Sequence, residues 1–198
     1  MNQADLIFNG TEAVFREGLI SVENGICKRK PNIFKVCIPD SVLVIEDNAF
    51  YQCLNLKEVI FSSNLAEIGS QCFCYTKIKS LEFPDSLKVI GNSAFNSCKL
   101  LQEINMTDSV MDIGAGAFAN CIALEKVVLS SSLTEISKQL FAACPSLNSV
   151  EIPNGIKSIG DGAFQASGLC SIKIPPSVTT IGSRAFAYCQ NLQQVKVY

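Results

Sequence analysis

The chain has 198 residues, of which 48% are hydrophobic and only 17% charged, with a mean hydropathy of +0.28. That is ample apolar material for a buried core, but no run approaches the roughly 18 to 20 apolar residues of a membrane helix, so membrane insertion is not expected. A net charge of −2 supplies no basic field for nucleic acid, and the absence of histidine removes the commonest general base and the commonest nitrogen ligand for metals.

Met1 to Gly10 lacks the basic start and apolar core of a signal peptide. The expectation is a protein that stays inside the cell or a fragment excised from a longer one. Residues 1–32 follow no repeat and are expected to form an N-terminal cap. Within them Val22-Glu23-Asn24-Gly25-Ile26 places Asn-Gly between apolar residues, a strong hairpin signal; a disordered leader is the alternative, mostly for the first ten residues. Lys28-Arg29-Lys30, the one dense basic cluster, reads as a solvated loop.

From residue 33 onward one unit recurs. Its anchor is a phenylalanine at 50, 73, 95, 118, 141, 164 and 186, at intervals of 22 or 23 residues, a period proper to leucine-rich repeats. Fourteen and twelve residues before each anchor stand apolar side chains, as in Val36 and Ile38 or Ile172 and Ile174. Alternation of β-branched residues predicts a strand with one buried face. A proline or serine usually closes that strand, as at Pro39, Ser62 and Pro153. Five residues before the anchor there is always an isoleucine, from Ile45 to Ile181, usually followed by glycine, with Glu46 and Ser137 as the departures. The Ile-Gly step predicts a bend. The Ala-Phe segment beyond it is too short for a full helix and suits one helical or 3₁₀ turn.

A single unit cannot bury its own apolar side, whereas stacked units form continuous ladders about 4.8 Å apart. The expected fold is an α/β-type repeat solenoid dominated by β structure: a right-handed leucine-rich repeat coil over residues 33–198. It should have seven turns, a parallel concave sheet of about eight short strands, short convex strands, and the phenylalanine column as main core filler. Leu192 to Tyr198 begins an eighth strand, and its open edge predicts a continuing chain or self-association.

Ten cysteines invite a chemical reading. Five stand three residues after the phenylalanine: Cys53, Cys98, Cys121, Cys144 and Cys189. In the other two units that place is taken by Thr76 or Ser167, and the turn is one residue shorter. Loss of the cysteine together with a loop residue marks it as a small hydrophobe packed beneath the longer turn. Cβ atoms on adjacent rungs would stand about 4.8 Å apart, too far for the roughly 3.8 Å of a disulfide, and one thiol per rung does not converge on zinc. Cys72-Phe73-Cys74 keeps a metal or redox alternative open. Free thiols suit a reducing compartment, and no metal or cofactor is expected.

The stretch Ile174 to Cys189, I-P-P-S-V-T-T-I-G-S-R-A-F-A-Y-C, resembles the BspA-type leucine-rich repeats of bacterial and protist surface proteins. The resemblance extends over about Ile33 to Tyr198, and the short turn Gln165-Ala166-Ser167-Gly168-Leu169 resembles the family's shorter form. It implies a secreted or cell-surface adhesin that binds host or other cells' proteins, and it implies no catalytic residues.

The outward strand positions would line the concave face. The candidate ligand-binding residues are Lys35, Glu58, Ile60, Glu82, Glu103, Asn105, Lys126, Val128, Glu151 and Lys173, with an acidic middle and a more basic C-terminal end. A protein ligand, from the extracellular matrix or a cell surface, fits this mixed surface; no aromatic stripe suggests sugar or base stacking. A structural spacer in a longer surface protein is the second reading. An enzyme is disfavoured, since no nucleophile has a histidine base and the carboxylates form no converging pair. Asn9-Gly10-Thr11 and Asn105-Met106-Thr107 match the glycosylation triplet.

Overall fold

The computed structural model describes residues 6–198 and contains sixteen short strands and, among the described residues, no helix. The first three are β1 (Leu6–Asn9), β2 (Glu12–Phe15) and β3 (Ser21–Val22). Next come β4 (Lys35–Cys37), β5 (Val44–Ile45), β6 (Glu58–Ile60), β7 (Glu67–Ile68) and β8 (Val89–Ile90). The remainder are β9 (Glu103–Asn105), β10 (Asp112–Ile113), β11 (Lys126–Val128), β12 (Glu135–Ile136), β13 (Ser158–Ile159), β14 (Ser171–Ile174), β15 (Thr180–Ile181) and β16 (Gln194–Val197). Two ladders run along a solenoid. One is built from the longer strands of each coil, the other from the two-residue strands that end on the conserved isoleucine.

The coil has eight turns rather than seven. β2 pairs parallel with β4, setting Ala13 against Val36, and β3 pairs parallel with β5, setting Val22 against Ile45. The Cys27 amide donates to the Ala49 carbonyl at 2.8 Å, repeating the Phe50 amide to Cys72 carbonyl bond at 2.9 Å. Cys27 therefore occupies the phenylalanine position of an additional coil. Its sequence hides the repeat because cysteine replaces phenylalanine, Val22 replaces isoleucine and Glu23 replaces glycine.

The expected hairpin is also relocated. Asn24-Gly25 joins no antiparallel pair; Gly25 sits two residues before Cys27, at φ +65°, where every coil turns left-handed. The hairpin is β1 with β2, antiparallel from Leu6↔Phe15 to Asn9↔Glu12, around Gly10-Thr11 with Gly10 at φ +64°. β1 thus occupies the outer edge of β2. The alternative of a leader falls partly on residues 1–5, outside the described residues.

The predicted helical or 3₁₀ turn is replaced by a pair of left-handed kinks, two residues before and two after the anchor: Asn48 and Gln52, Ser93 and Ser97, Gln139 and Ala143, Arg184 and Tyr188. Residues with side chains hold φ > 0 here at a cost of roughly 1 kcal/mol each. The gain is a ladder of amide bonds between coils, from Phe73 to the Ala94 carbonyl at 2.7 Å and from Phe95 to Ala117 at 2.8 Å. A continuous helical turn would direct those amides along its own axis instead.

Inside, the rings of Phe50, Phe73, Phe95, Phe118, Phe141, Phe164 and Phe186 form one offset stack with centroids 5.1 to 6.0 Å apart. Phe15 closes its N-terminal end edge-on to Phe50 at 6.1 Å.

The glycine column has a separate cause. A Cβ on Gly69, Gly91, Gly114, Gly160 or Gly182 would stand 2.4 to 2.6 Å from backbone of the preceding coil, and the Gly amide donates to the preceding coil's isoleucine carbonyl at 2.7 Å throughout. Where Ser137 replaces glycine, the short-strand ladder is interrupted: β10-β8-β7-β5-β3 is one sheet and β12-β13-β15 another. Its side-chain hydroxyl, rather than a backbone amide, donates to the Ile113 carbonyl. Glu46, the other departure from glycine, keeps its amide bond to the Val22 carbonyl at 2.8 Å and its strand pairing.

The long-strand face is likewise divided, into β1-β2-β4-β6, β9-β11 and β14-β16. The missing members are Ser80–Phe83 and Ser149–Ile152, which are not strands and whose amides and carbonyls make no hydrogen bond. The single sheet of about eight strands is therefore three patches with two unpaired segments between them. Both one-residue-short turns, Phe73–Ile78 and Phe164–Leu169, connect segments that fail to pair, as do the full-length turns Phe95–Leu101 and Phe141–Leu147, whereas β4 and β6, β9 and β11, and β14 and β16 pair through turns of full length.

Candidate binding face

The outward positions on the long strands are held by the alternation of the strand itself. Val36, Ile104, Val127, Val150 and Ile172 point into the core, and their neighbours point out. Of the ten candidate residues, Lys35 is half-buried and Glu58, Ile60, Glu82, Glu103, Asn105, Lys126, Val128, Glu151 and Lys173 are exposed. The fold arrays them in two columns and draws them into no convergent cluster. Lys35 and Glu58 form an ion pair at 3.1 Å across β4 and β6, and the hydrogen bond to Glu58 raises the Lys35 pKa. Glu12 accepts a bond from the Cys37 thiol at 3.1 Å. Ile60 and Val128 are 48% and 44% exposed, the apolar spots of an otherwise polar surface.

Two clefts open where the strands separate. One, of about 360 Å³, lies between β6 and the segment holding Ser80 and Glu82. The other, of about 580 Å³, lies between Ser149–Ile152 and β14, and reaches Asn154, Pro175, Pro176 and Tyr198. Asn154, Pro176 and Tyr198 are not among the residues the periodicity singles out, whereas Ser149 is an outward strand position and Pro175 a strand-closing proline. The signal that marks their cleft is the short turn at Ser167, which reads in the sequence as a change of spacing alone.

The cysteine column proves partly polar. The thiols of Cys98, Cys121, Cys144 and Cys189 each donate to a phenylalanine carbonyl of an earlier coil, at 3.1 to 3.4 Å, and Cys53 does so to the Cys27 carbonyl at 2.9 Å. In the two short turns the hydroxyls of Thr76 and Ser167 meet the next coil's thiol at 3.2 and 3.3 Å. The cysteines of this column thus donate to a buried carbonyl, whereas the hydroxyls that replace them in the short turns are partnered by a neighbouring thiol.

All ten thiols are free. Burial pushes Cys27, Cys98 and Cys144 up to about 12, and Cys53 and Cys74 to about 11. Burial likewise raises Cys72 and Cys121 well above the ordinary range. A thiol held neutral is a poor nucleophile. A thiol reagent at neutral pH should therefore label exposed Cys170 at once and half-buried Cys37 and Cys189 slowly, leaving the seven buried thiols until unfolding. Time-resolved mass spectrometry that finds Cys72 or Cys98 labelled as fast as Cys170 would contradict that burial order. Among the described residues no three metal-ligating side chains gather at one point, and no helix is long and apolar enough to cross a membrane.

The family model of the BspA-type leucine-rich repeat region, in six copies, matches residues 20–147 and 93–198. The chain belongs to the BspA-type leucine-rich repeat family. Its match begins at residue 20, inside the coil whose phenylalanine is missing. This BspA-type chain is similar to the leucine-rich repeat protein of T. pallidum, with 27% identity over 93% of this chain and 78% of that one, at a TM-score of 0.74. It shares its fold with a leucine-rich repeat protein from Bacteroides ovatus (23% identity, 93% of this chain, TM-score 0.74). A protein from Eubacterium ventriosum shares it too (24% identity, 95% of this chain, TM-score 0.66). The chain spans 60% of each of those two structures. No curated protein matches it. Leucine-rich repeats are non-enzymatic scaffolds that generally serve protein interaction, and the long-strand face described above is the concave face of that scaffold.

Proposed function

We propose that this chain is a protein-binding scaffold whose concave face engages a cell-surface or extracellular-matrix protein, in the manner of a secreted or surface-held adhesin. The observation that carries the reading is the contrast between the two faces of each long strand. Inward residues are restricted to apolar types, while the outward columns are exposed and differ in charge from coil to coil. In this reading residues 33–198 form the binding domain and the residues before them its terminal cap, with β1 covering the edge of β2. Glu58, Glu82 and Glu103 favour a ligand whose contact surface is basic, since opposite potentials steer encounter and fix register.

The test is a binding screen against purified matrix and cell-surface proteins, followed by Glu82→Lys with Glu103→Lys. The double reversal should weaken the captured partner by about tenfold or more and flatten the salt dependence of its association rate. Unchanged affinity would move the contact off this face. A second reading, self-association, is favoured by β16, whose four residues are exposed and whose outer edge has no partner strand among the described residues. Light scattering separates it, because a second copy at that edge doubles the mass. A spacer within a longer surface protein would capture no partner in the screen.

A further inference from the structure

The edge of the solenoid that leads from the phenylalanine column to the long strands carries the densest charge of one sign. Over its first three turns it comprises residues 28–34, 51–57 and 74–80, which hold Lys28, Arg29, Lys30, Lys57, Lys77 and Lys79 and no aspartate or glutamate. All six cations are exposed, and none makes an ion pair among the described residues. The chain's other ten lysines and arginines are set among all eighteen of its carboxylates, so a net charge of −2 conceals a basic strip. Glu58, the carboxylate next to it in sequence, is taken by Lys35.

The strip is held in place rather than solvated as a loose loop. Lys28-Arg29-Lys30 lies in the left-handed kink after Cys27, with Arg29 at φ +59° and its amide on the Tyr51 carbonyl at 2.7 Å. Arg29 Nε donates to Gln52 Oε1 at 3.0 Å, which orients the guanidinium and leaves its two terminal nitrogens without a partner among the described residues. The ammonium groups of Lys28 and Lys57 rest over the rings of Tyr51 and Phe34, at 5.1 and 5.7 Å, and that of Lys30 over Phe8 at 5.6 Å. Contacts between coils make the strip continuous. The Lys57 amide donates to the Phe34 carbonyl at 2.9 Å, Asn55 Nδ2 to the Pro31 carbonyl at 3.0 Å, and Lys77 Nζ to Asn55 Oδ1 at 3.1 Å. The cations therefore succeed one another along the solenoid axis, on backbone that rises about 4.8 Å per coil.

We propose that this strip binds a sulfated polysaccharide, a linear polyanion laid along the solenoid axis. The chemistry of the strip selects the class. Three rings already carry ammonium groups of the protein, and Tyr75 packs edge-on to Tyr51 at 6.0 Å. The aromatic surface on which single-stranded nucleic acid stacks, or which anchors a protein partner, is thus occupied. The amides of Arg29, Lys57 and Lys77 bond within the solenoid and offer no ladder to a peptide. What stays open is a row of cations interleaved with the side-chain amides of Gln52 and Asn55, which suits a chain bearing anionic groups and hydroxyls on successive units. The free fork of Arg29 takes two oxygens of one anionic group. This surface lies off the concave columns, so glycan binding stands whether or not that face binds a protein.

The experiment titrates the full chain with a heparin decasaccharide, its desulfated counterpart, double-stranded DNA and phosphatidylserine vesicles. The sulfated chain should bind, with log Kd rising linearly in log salt as counterions are released. Desulfation should weaken binding by about tenfold or more. Lys57→Gln with Lys77→Gln and Lys79→Gln should also cost about tenfold or more and flatten the salt slope, since three ionic contacts go. Lys88→Gln with Lys138→Gln and Lys157→Gln removes the same charge from exposed positions outside the strip, and should change affinity by less than about twofold. Arg29→Lys keeps the charge and loses the fork, so binding should weaken by less than in the triple variant. Every substituted side chain is exposed, so melting should hold. Should the triple glutamine variant fold poorly, the same three lysines changed to arginine decide the matter: they should bind at full strength, and loss there refutes the role of charge.

The proposal is overturned if heparin does not bind, if desulfation costs nothing, or if the variant outside the strip loses as much as the variant within it. DNA or vesicles bound as tightly as heparin at equal salt overturn the polysaccharide assignment. Glu82→Lys with Glu103→Lys should weaken a protein partner without weakening heparin, so failure of the concave-face reading is told apart from failure of this one.

Discussion

Phe118→Ala should cost the protein about 3–5 kcal/mol of stability. Phe118 is wholly buried in the middle of the ring stack, 5.4 Å from Phe95 and 6.0 Å from Phe141. Truncation removes both ring contacts and leaves a void that cannot collapse. The backbone on either side is held by bonds from Phe95 to Ala117 at 2.8 Å and from Phe118 to Leu140 at 3.1 Å. Phe186, half-buried with a single ring neighbour at 5.6 Å, should cost clearly less when truncated in the same way. Because each coil touches mainly its neighbours, a defect at mid-stack also weakens the coupling between the two halves. Denaturant unfolding should then show a lower midpoint and a shallower slope. A loss under about 1 kcal/mol would refute the role given to the stack.

What was legible in the sequence is what the stack enforces coil by coil. The phenylalanine and isoleucine columns recur because each must fill the same space 22 or 23 residues later, and together they imply the solenoid without further help. The additional coil at residues 12–30 was hidden because it keeps the geometry while changing every anchor: Cys27 satisfies the ladder with its backbone, which any residue provides. Asn24-Gly25 misled for a related reason. Asn-Gly reports a tolerance for φ > 0, and a hairpin is only one use of that; here Gly25 supplies the left-handed kink two residues before the anchor.

The candidate face was legible only in part. Alternation places Glu58, Glu82 and Lys173 outward without ambiguity, but pairing between strands depends on how adjacent coils sit against each other. The missing bonds at Ser80–Phe83 and Ser149–Ile152 fall beside the short turns at Thr76 and Ser167 and equally beside the full-length turns Phe95–Leu101 and Phe141–Leu147, so turn length alone does not set them. In the sequence those two segments alternate as regularly as their paired neighbours. The cysteine column shows the opposite case: its burial is legible in the loop coupling, and its polar role is not, since a thiol donating to Phe95 or Phe118 leaves no trace in hydropathy.

Gly114→Ala should be as damaging as a mid-sized core deletion, at about 3 kcal/mol, although it adds only one carbon. That carbon would stand 2.4 Å from the Asn92 amide nitrogen and 2.6 Å from the Gly91 carbonyl carbon, both backbone atoms that no rotamer can move aside. The coils must separate, and the Gly114 amide then loses its bond of 2.7 Å to the Ile90 carbonyl. Gly116→Ala, two residues on, is the control for conformation alone. It sits at φ +63° with nothing nearer than 3.5 Å to the added carbon, so it should cost only about 1 kcal/mol. The same contrast predicts the behaviour of serine. Glu46 and Ser137 show that a coil can accept a side chain in this column, Glu46 with its amide still on the Val22 carbonyl at 2.8 Å and Ser137 with its hydroxyl on the Ile113 carbonyl. Gly114→Ser should therefore recover part of what alanine loses, in spite of its larger side chain. If thermal melts rank serine below alanine, or place Gly116→Ala level with Gly114→Ala, close backbone approach is not what selects glycine in this column.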